Sequence, residues 1–156
     1  MEPRASAAWR IVFLVSYRLI RFADPLVRAV IALKSPLLDG VVGISVPGRR
    51  TARMRRTLVT LLHVDGARYI GHPNGPAAWA RNAEAAGWVE VDPPGAGGPR
   101  FTVRRLGGGP ERDAVIRATW TQQPFPANLL YRAAARHVAA VGVYFRLEAI
   151  PGPEIR

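Results

Sequence analysis

The first 35 residues carry an apolar pattern of helical period, with one narrow polar stripe opposite a broad apolar side. The polar stripe holds Ser6, Arg10, Tyr17, Arg21, Asp24 and Arg28. The apolar side holds Val12, Phe13, Val15, Leu19, Ile20, Phe22 and Val27. Because Asp24 followed by Pro25 is typical of a helix start, we predict two consecutive helices, over 7–23 and 25–34.

From Leu38 onward, short runs typical of β-strands alternate with turn residues. Asp65-Gly66 predicts a tight hairpin turn, and Gly87 predicts the end of a short helix. The predicted strands cover 41–46, 57–64, 68–71, 88–92, 100–105 and 141–150. The predicted helices cover 77–86, 111–123 and 127–139.

Six strands with one helix inserted midway and others at the ends predict an α+β fold, a small antiparallel barrel or curled sheet with peripheral helices. We expect residues 1–36 to form the amphipathic N-terminal helices and residues 37–156 to form the barrel domain. The length of 156 residues is sufficient for one such domain with a hydrophobic core.

Composition narrows the chemistry. Apolar residues make up 49% of the chain and charged residues 21%, as in ordinary globular proteins. The absence of cysteine excludes disulfides, thiolate zinc sites and iron–sulfur clusters, and it is compatible with a reducing cytosol. The formal net charge of +11 favours an anionic partner, although a GC-rich genome would also enrich arginine.

The N-terminal pattern leaves two interpretations open. Its longest run without charge, Ile11 to Tyr17, has seven residues and is too short to cross a bilayer. The apolar side of residues 7–34 either packs on the domain or lies on an anionic membrane surface. We therefore expect a cytoplasmic protein, bound peripherally to the inner face of the membrane if the second interpretation holds.

The densest charged feature is the segment 48–57, GRRTARMRRT, with five arginines in eight positions. Guanidinium groups bind phosphate and carboxylate through paired hydrogen bonds, so the segment suits a polyanionic ligand. A solvated charge run without a ligand is the alternative. Nucleic acid is disfavoured, since no helix-turn-helix, zinc module or aromatic RNA-binding pattern is present.

The segment 72–82, HPNGPAAWARN, predicts a turn that opens a helix. Trp79 either forms the wall of a flat ligand's site or belongs to the core. The three histidines lack the spacing of a metal site, and no hydrolase, kinase or dinucleotide motif occurs. No metal is expected, and an enzyme built on this chain would obtain its reactivity from a bound cofactor.

In this order, GRRTARMRR, the Asp-Gly hairpin, NGPAAWARN and WVEV resemble the deazaflavin-dependent nitroreductase family. The resemblance extends from about Gly43 to Val91 and, more weakly, to Ile150. It implies a split β-barrel that binds coenzyme F-420, a 5-deazaflavin with a phosphate and an oligoglutamate tail, in preference to FMN. Several departures from the family pattern accompany it: Ala52 replaces a glycine, Met54 a proline and Ala83 a leucine, and the loop before Trp79 is shorter.

The resemblance assigns cofactor-binding positions residue by residue. The family's tail-binding and phosphate-binding positions correspond to Arg49, Arg50, Thr51, Arg55 and Arg56. The loop beside the deazaflavin ring and the helix after it correspond to His72, Pro73, Asn74, Gly75, Ala78, Trp79 and Asn82.

The family chemistry is hydride transfer to a small electron acceptor, here a quinone, a nitroaromatic or an activated enone. Tyr131 and His72 are the candidate catalytic residues, as proton donors beside water. The alternatives are a non-catalytic split-barrel protein that holds flavin, haem or lipid, and a surface-binding module that uses the arginines only for charge. Monomer and dimer both remain open.

Overall fold

The computed structural model describes residues 3–22, 40–92 and 98–150, which form five helices and seven strands. The predicted helix over 25–34 lies outside these residues. The helices are α1 (Ala7–Phe22), α2 (Ala78–Ala86), α3 (Pro110–Gln122), α4 (Ala127–Ala133) and α5 (Ala135–Val141). The strands are β1 (Val41–Pro47), β2 (Met54–Thr60), β3 (Leu62–Val64), β4 (Ala67–His72), β5 (Trp88–Asp92), β6 (Arg100–Arg105) and β7 (Val143–Ala149).

All seven strands form one antiparallel sheet in the order β2-β1-β5-β6-β7-β4-β3. The sheet curls until β2 approaches β4, which makes a half-barrel. The β1–β2 hairpin runs in register from Pro47 opposite Met54 at its turn to Val41 opposite Thr60 at its open end. The predicted α+β class with a curled antiparallel sheet is confirmed.

The inside of the half-barrel is an apolar core that α2 closes. Alternate residues of the strands point inward, as the period of two along a strand requires. Ala80 and Ala83 of α2 pack against them because their small side chains allow the helix to approach the sheet. The buried strand residues include Ile44, Val46, Ile70, Val89, Phe101, Val143 and Phe145.

A second core lies between the outer surface of the sheet and the remaining helices. It joins α1, α3, α4 and α5 to β3, β4 and β7. Its largest fully buried side chains are Tyr144 and Phe13. Gly71 is packed flat against Tyr144, since a Cβ at residue 71 would lie 2.9 Å from Tyr144 Cγ and closer still to other ring atoms. This close approach explains the glycine in the middle of the sheet.

Two turn signals in the sequence act as predicted. Asp65 and Gly66 both have positive φ, 50° and 76°, the combination required by the tightest β-hairpin turn. Gly87 ends α2 in the left-handed conformation, with φ of 76°, and its N–H donates to the carbonyl of Ala83.

Three element boundaries differ from the prediction. Strand β2 begins at Met54, three residues early, because Met54, Arg55 and Arg56 each have a partner in β1. The predicted strand over 57–64 is divided at Leu61, whose N–H donates to Gly40 O instead of joining the ladder. The predicted helix over 127–139 is divided at Ala134 into α4 and α5.

Helix α1 faces the domain with a different side from the one that the apolar pattern indicates. Phe13 is buried, whereas Val12, Val15 and Leu19 of the predicted apolar side are 39%, 49% and 65% exposed. Tyr17, in the predicted polar stripe, lies against the domain because its ring stacks on His72. Aromatic packing, rather than total hydrophobicity, therefore sets the rotation of α1. Within the described ranges, no helix is long and apolar enough to cross a bilayer.

Candidate functional site

A cavity of about 300 Å³ opens between α1, the open end of the β1–β2 hairpin, β4 and the segment that joins α3 to α4. This volume is at the lower end of the range for small-molecule sites. Of the described residues that line the cavity, none is Asp, Glu, Lys or Arg. The lining is mostly aromatic and aliphatic: Phe13, Ser16, Tyr17, Val41, Leu58, Val59, Thr60, Gly71, His72, Trp79, Gln123, Pro124, Phe125, Pro126, Ala127, Leu130 and Tyr131.

Two tyrosines meet at the wall of the cavity. The hydroxyl oxygens of Tyr17 and Tyr131 are 3.2 Å apart and share a hydrogen bond, although 114 residues separate them in the sequence. Burial raises the pKa of Tyr17 to about 12, and it raises the pKa of Tyr131 well above its usual value. Both phenols therefore keep their protons at physiological pH.

The side chain of His72 lies under Tyr17, with ring centroids 4.7 Å apart and nearly parallel planes. Its Nδ1 is 2.9 Å from the carbonyl oxygen of Gly75, a distance that places the proton on Nδ1. The backbone N–H of Asn74 also approaches Nδ1, at a longer 3.3 Å. Burial lowers the pKa of His72 to about 4, so the ring is neutral at pH 7 and Nε2 is a hydrogen-bond acceptor.

The depressed pKa of His72 predicts a loss of stability in acid. The unfolded chain binds a proton at histidine near pH 6.5, whereas the folded chain does so only near pH 4. The stabilisation from this group is therefore complete above about pH 6.5 and falls as the pH decreases toward 4. Between pH 7.5 and pH 5 we expect a loss of about 2 kcal/mol from His72.

Urea denaturation at the two pH values measures this loss. The variant His72→Asn keeps a donor for Gly75 O but cannot titrate, so its stability should change less between pH 7.5 and pH 5 by about 2 kcal/mol. An equal pH dependence in both proteins would show that His72 is not the titrating group. Since His63 is exposed, His63→Asn is a control that should retain the full pH dependence.

A chain of hydrogen bonds holds the N-terminal part of α1 against the loop that follows β4. The backbone N–H of Ser6 donates to His137 Nδ1 at 3.0 Å, so the proton of this ring is on Nε2. His137 Nε2 then donates to Asn74 Oδ1 at 2.9 Å, and Asn74 Nδ2 donates to Arg10 O at 3.2 Å. Both ends of the Asn74 side chain are thus used to position α1.

The segment with five arginines forms the closed end of the β1–β2 hairpin. Its turn is tight, because the N–H groups of Thr51 and Ala52 both donate to Gly48 O. Ala52 has φ of 54°, in the left-handed region, which explains why glycine would be at home at this position. Arg49 is joined to α2, since both its backbone N–H and its guanidinium donate to Asn82 Oδ1 at 3.3 Å.

The residues predicted from the sequence fall into two groups. One group, His72, Trp79 and Tyr131, lines the cavity together. The hairpin group does not line it: Arg49, Arg50, Thr51, Arg55 and Arg56 are exposed on the turn and the first residues of β2.

The other predicted residues surround α2 and the loop before it. Asn82 is buried and links α2 to Arg49. Pro73 and Gly75 are buried, while Ala78 is exposed in the first turn of α2. This turn has no side-chain cap from Ala77, so its backbone N–H groups remain free to bind an anion.

Sequence reasoning missed Tyr17 and Gln123 as residues of the cavity wall. A signal for Tyr17 exists, because it is the one aromatic residue in the polar stripe of α1. Over the ranges 3–22, 40–92 and 98–150, no three His, Asp or Glu side chains are close enough together to hold a metal ion.

No protein-family model and no curated protein matches the chain. Solved structures do match it. The F-420-H2-dependent reductase FDR-A is 18% identical, with a TM-score of 0.53 over 70% of this chain and 95% of the other. The haem storage protein HutZ from Vibrio cholerae is 13% identical, with a TM-score of 0.53 over 78% and 89%.

A third structure, described as a domain-swapped dimer, is 18% identical, with a TM-score of 0.52 over 70% of this chain and 81% of the other. At these identities the similarity shows a common fold. The fold is therefore one that accommodates both a deazaflavin-dependent reductase and a haem-binding protein.

Proposed function

We propose that the protein is an oxidoreductase that uses coenzyme F-420 to transfer a hydride to a small neutral acceptor. The observation that carries the proposal is the arrangement of two complementary sites on one barrel. A cationic hairpin is joined to α2 through the Arg49–Asn82 contacts, and α2 also supplies Trp79 to an uncharged cavity. A ligand with an anionic tail and a flat, uncharged ring fits these two sites.

The residues of the hairpin fit the anionic part of the coenzyme. Arg49, Arg50 and Thr51 would hold its phosphate and oligoglutamate groups through charge-assisted hydrogen bonds. Arg49 remains able to do so, because its guanidinium has five N–H donors and Asn82 occupies one of them. Arg55 and Arg56 extend the positive surface along β2.

The residues of the cavity fit the ring and the acceptor. Trp79 is half-buried and its ring packs at 6.2 Å from that of Phe145, which gives a rigid aromatic wall. When bound, the reduced coenzyme supplies a hydride, so the chain itself needs no nucleophile. The uncharged lining favours a quinone, a nitroaromatic or an activated enone over a charged acceptor, and Tyr131 and His72 remain the candidate groups for proton chemistry.

The first test is a titration of the purified protein with oxidised coenzyme F-420, followed by its fluorescence. Saturable binding, together with oxidation of the reduced coenzyme when a quinone is added, is the expected result. Absence of binding at low ionic strength would contradict the proposal.

A second candidate function is non-catalytic storage of haem or flavin. The match to HutZ favours it, as does the neutral imidazole of His72 at the cavity, whose Nε2 is free to ligate iron. Addition of haemin separates the two functions: a stable Soret band that disappears in His72→Asn supports storage, whereas binding of coenzyme F-420 without such a band supports the reductase.

We further propose that the outer side of α1 lies on an anionic membrane surface, where a lipophilic acceptor would be met. Leu14 and Leu19 are 50% and 65% exposed, and they alternate with the exposed cations Arg10 and Arg18. Apolar side chains beside arginine are typical of helices that lie in the membrane interface.

Replacing both leucines in the double variant Leu14→Gln/Leu19→Gln should reduce co-sedimentation with phosphatidylglycerol vesicles by about tenfold or more. The fold should survive, because both side chains are exposed. The matched control is Leu129→Gln/Ile150→Gln, which changes two residues of 55% and 42% exposure outside α1. Equal binding of the two double variants would exclude α1 as the membrane contact.

A further inference from the structure

The hydrogen bond between Tyr17 and Tyr131 has a direction that the burial of the two residues fixes. Tyr131 is 6% exposed, and among the described residues its hydroxyl has Tyr17 as its one hydrogen-bond partner. Since a buried hydroxyl rarely leaves its proton unused, Tyr131 donates to the oxygen of Tyr17. Tyr17 lies at the cavity wall and is 36% exposed, so its own proton is available to a ligand.

Other polar groups of the wall complete a pattern that favours oxygen atoms of a ligand. Thr60 Oγ1 donates to Gln123 Oε1 at 2.7 Å, which leaves the amide NH₂ of Gln123 as a donor. Ser16 is committed to its own helix, donating to Val12 O at 2.8 Å. The cavity thus offers two neutral donors, Tyr17 and Gln123, with no charged side chain among its described residues.

We propose that Tyr17 of α1 donates a hydrogen bond to a carbonyl or nitro oxygen of the acceptor, and that Tyr131 positions Tyr17 for this contact. The proposal rests on the reductase function proposed above and assigns a residue for recognition of its substrate. It also gives α1 a role in the site, because the helix carries the hydroxyl to a cavity that the barrel alone does not complete.

The proposed contact is consistent with the balance of the reaction. Reduction of a quinone adds one hydride, from the reduced coenzyme, and one proton, from water. Arrival of the hydride leaves negative charge on a carbonyl oxygen, and a hydrogen bond placed there beforehand stabilises that charge. Tyr17 keeps its proton throughout, because burial of its hydroxyl disfavours the phenolate.

The test compares two ligands of nearly equal shape, menadione and 2-methylnaphthalene, which differ in the two carbonyl oxygens. Equilibrium dialysis of each against the full-length protein, with and without oxidised coenzyme F-420, gives the dissociation constants. The variant Tyr17→Phe should bind menadione about tenfold more weakly, the effect of one ordinary hydrogen bond, and 2-methylnaphthalene as well as the unchanged protein does.

Infrared difference spectra of bound menadione report the hydrogen bond directly, because a donor lowers the carbonyl stretching frequency. The lowered band should return to the value of a carbonyl without a donor in Tyr17→Phe. In Tyr131→Phe it should remain but broaden, since Tyr17 is present and less firmly held. A purely structural role of Tyr131 would not change this band.

The control for removal of a tyrosine hydroxyl is Tyr69→Phe, whose hydroxyl donates to Glu111 outside the cavity and whose loss should leave both dissociation constants unchanged. If Tyr17→Phe weakens both ligands equally or neither, or if the unchanged protein does not bind menadione, the proposal is wrong. The titration with coenzyme F-420 is independent of these results, so a failure here is distinguishable from a failure of the reductase function.

Discussion

Replacement of both Arg49 and Arg50 by alanine should weaken binding of oxidised coenzyme F-420 by about 100-fold or more. Each guanidinium is exposed on the hairpin turn and offers paired donors to an anion. A hydrogen bond to a charged group contributes about 1.5–3 kcal/mol, so loss of one from each arginine corresponds to at least about 3 kcal/mol. The measurement is the fluorescence titration of the coenzyme described above.

The matched control removes the same charge elsewhere. Arg117 on α3 and Arg132 on α4 are exposed and lie outside the hairpin and the cavity lining. Their double replacement by alanine should change affinity by less than about threefold at 0.15 M salt, where distant surface charges are largely screened. If both double variants lose affinity equally, general charge attracts the coenzyme and the hairpin is not its site.

Replacement of Phe13 by alanine should destabilise the protein by about 3–4 kcal/mol and release α1 from the domain. Phe13 is 1% exposed, and its ring meets Tyr131 edge-on at 5.7 Å and stacks near His137 at 6.0 Å. Removal of a fully buried aromatic ring from a packed core costs about 3–5 kcal/mol. Urea denaturation measures the change.

Hydrogen exchange distinguishes local release of α1 from general destabilisation. In Phe13→Ala the amides of α1 should exchange faster than those of the β1–β5–β6 part of the sheet. Leu14→Ala is the control, since Leu14 is the next residue and is 50% exposed, and its free energy of unfolding should change by less than about 0.5 kcal/mol. Equal stability of Phe13→Ala and Leu14→Ala would show that α1 does not contribute to the folded core.

Much of the fold was predictable because its signals are local. The Asp65-Gly66 turn, the left-handed end of α2 at Gly87 and the bounds of β5 and β6 all follow from residues near one another in the chain. The breaks at Leu61 and Ala134 carry no such signal. Leu61 leaves the strand to bond Gly40 across the chain, and neither residue belongs to a recognisable turn motif.

The site was predictable only in part, for the same reason. His72 and Trp79 belong to one short segment, and their motif brought them to attention together. The pairing of Tyr17 with Tyr131 spans 114 residues, so nothing local to either tyrosine indicates it. Asn74 matched a ligand-binding position in the family pattern, yet its amide is used by His137 and Arg10, partners that only the folded chain identifies.

The rotation of α1 illustrates a limit of hydrophobic patterns. The wheel places Phe13 with Val12 and Val15 on one apolar side, and the structure separates them. An average over the side cannot distinguish the residue that fits a cavity between aromatic rings from residues that remain in contact with solvent. The choice depends on the shape of a surface built by residues more than 100 positions away.

The long-range contacts of α1 determine when the cavity can form. Ser6 bonds a residue 131 positions later, so the first helix to be synthesised waits for nearly the whole chain before it can dock. At translation rates of about 5–20 residues per second, that delay is roughly ten seconds. During this interval α1 emerges with its aromatic side uncovered, available to any apolar surface near the ribosome. Assembly of the cavity is therefore a late event in folding, and substitutions that slow docking of α1 would extend the period of exposure without changing the barrel.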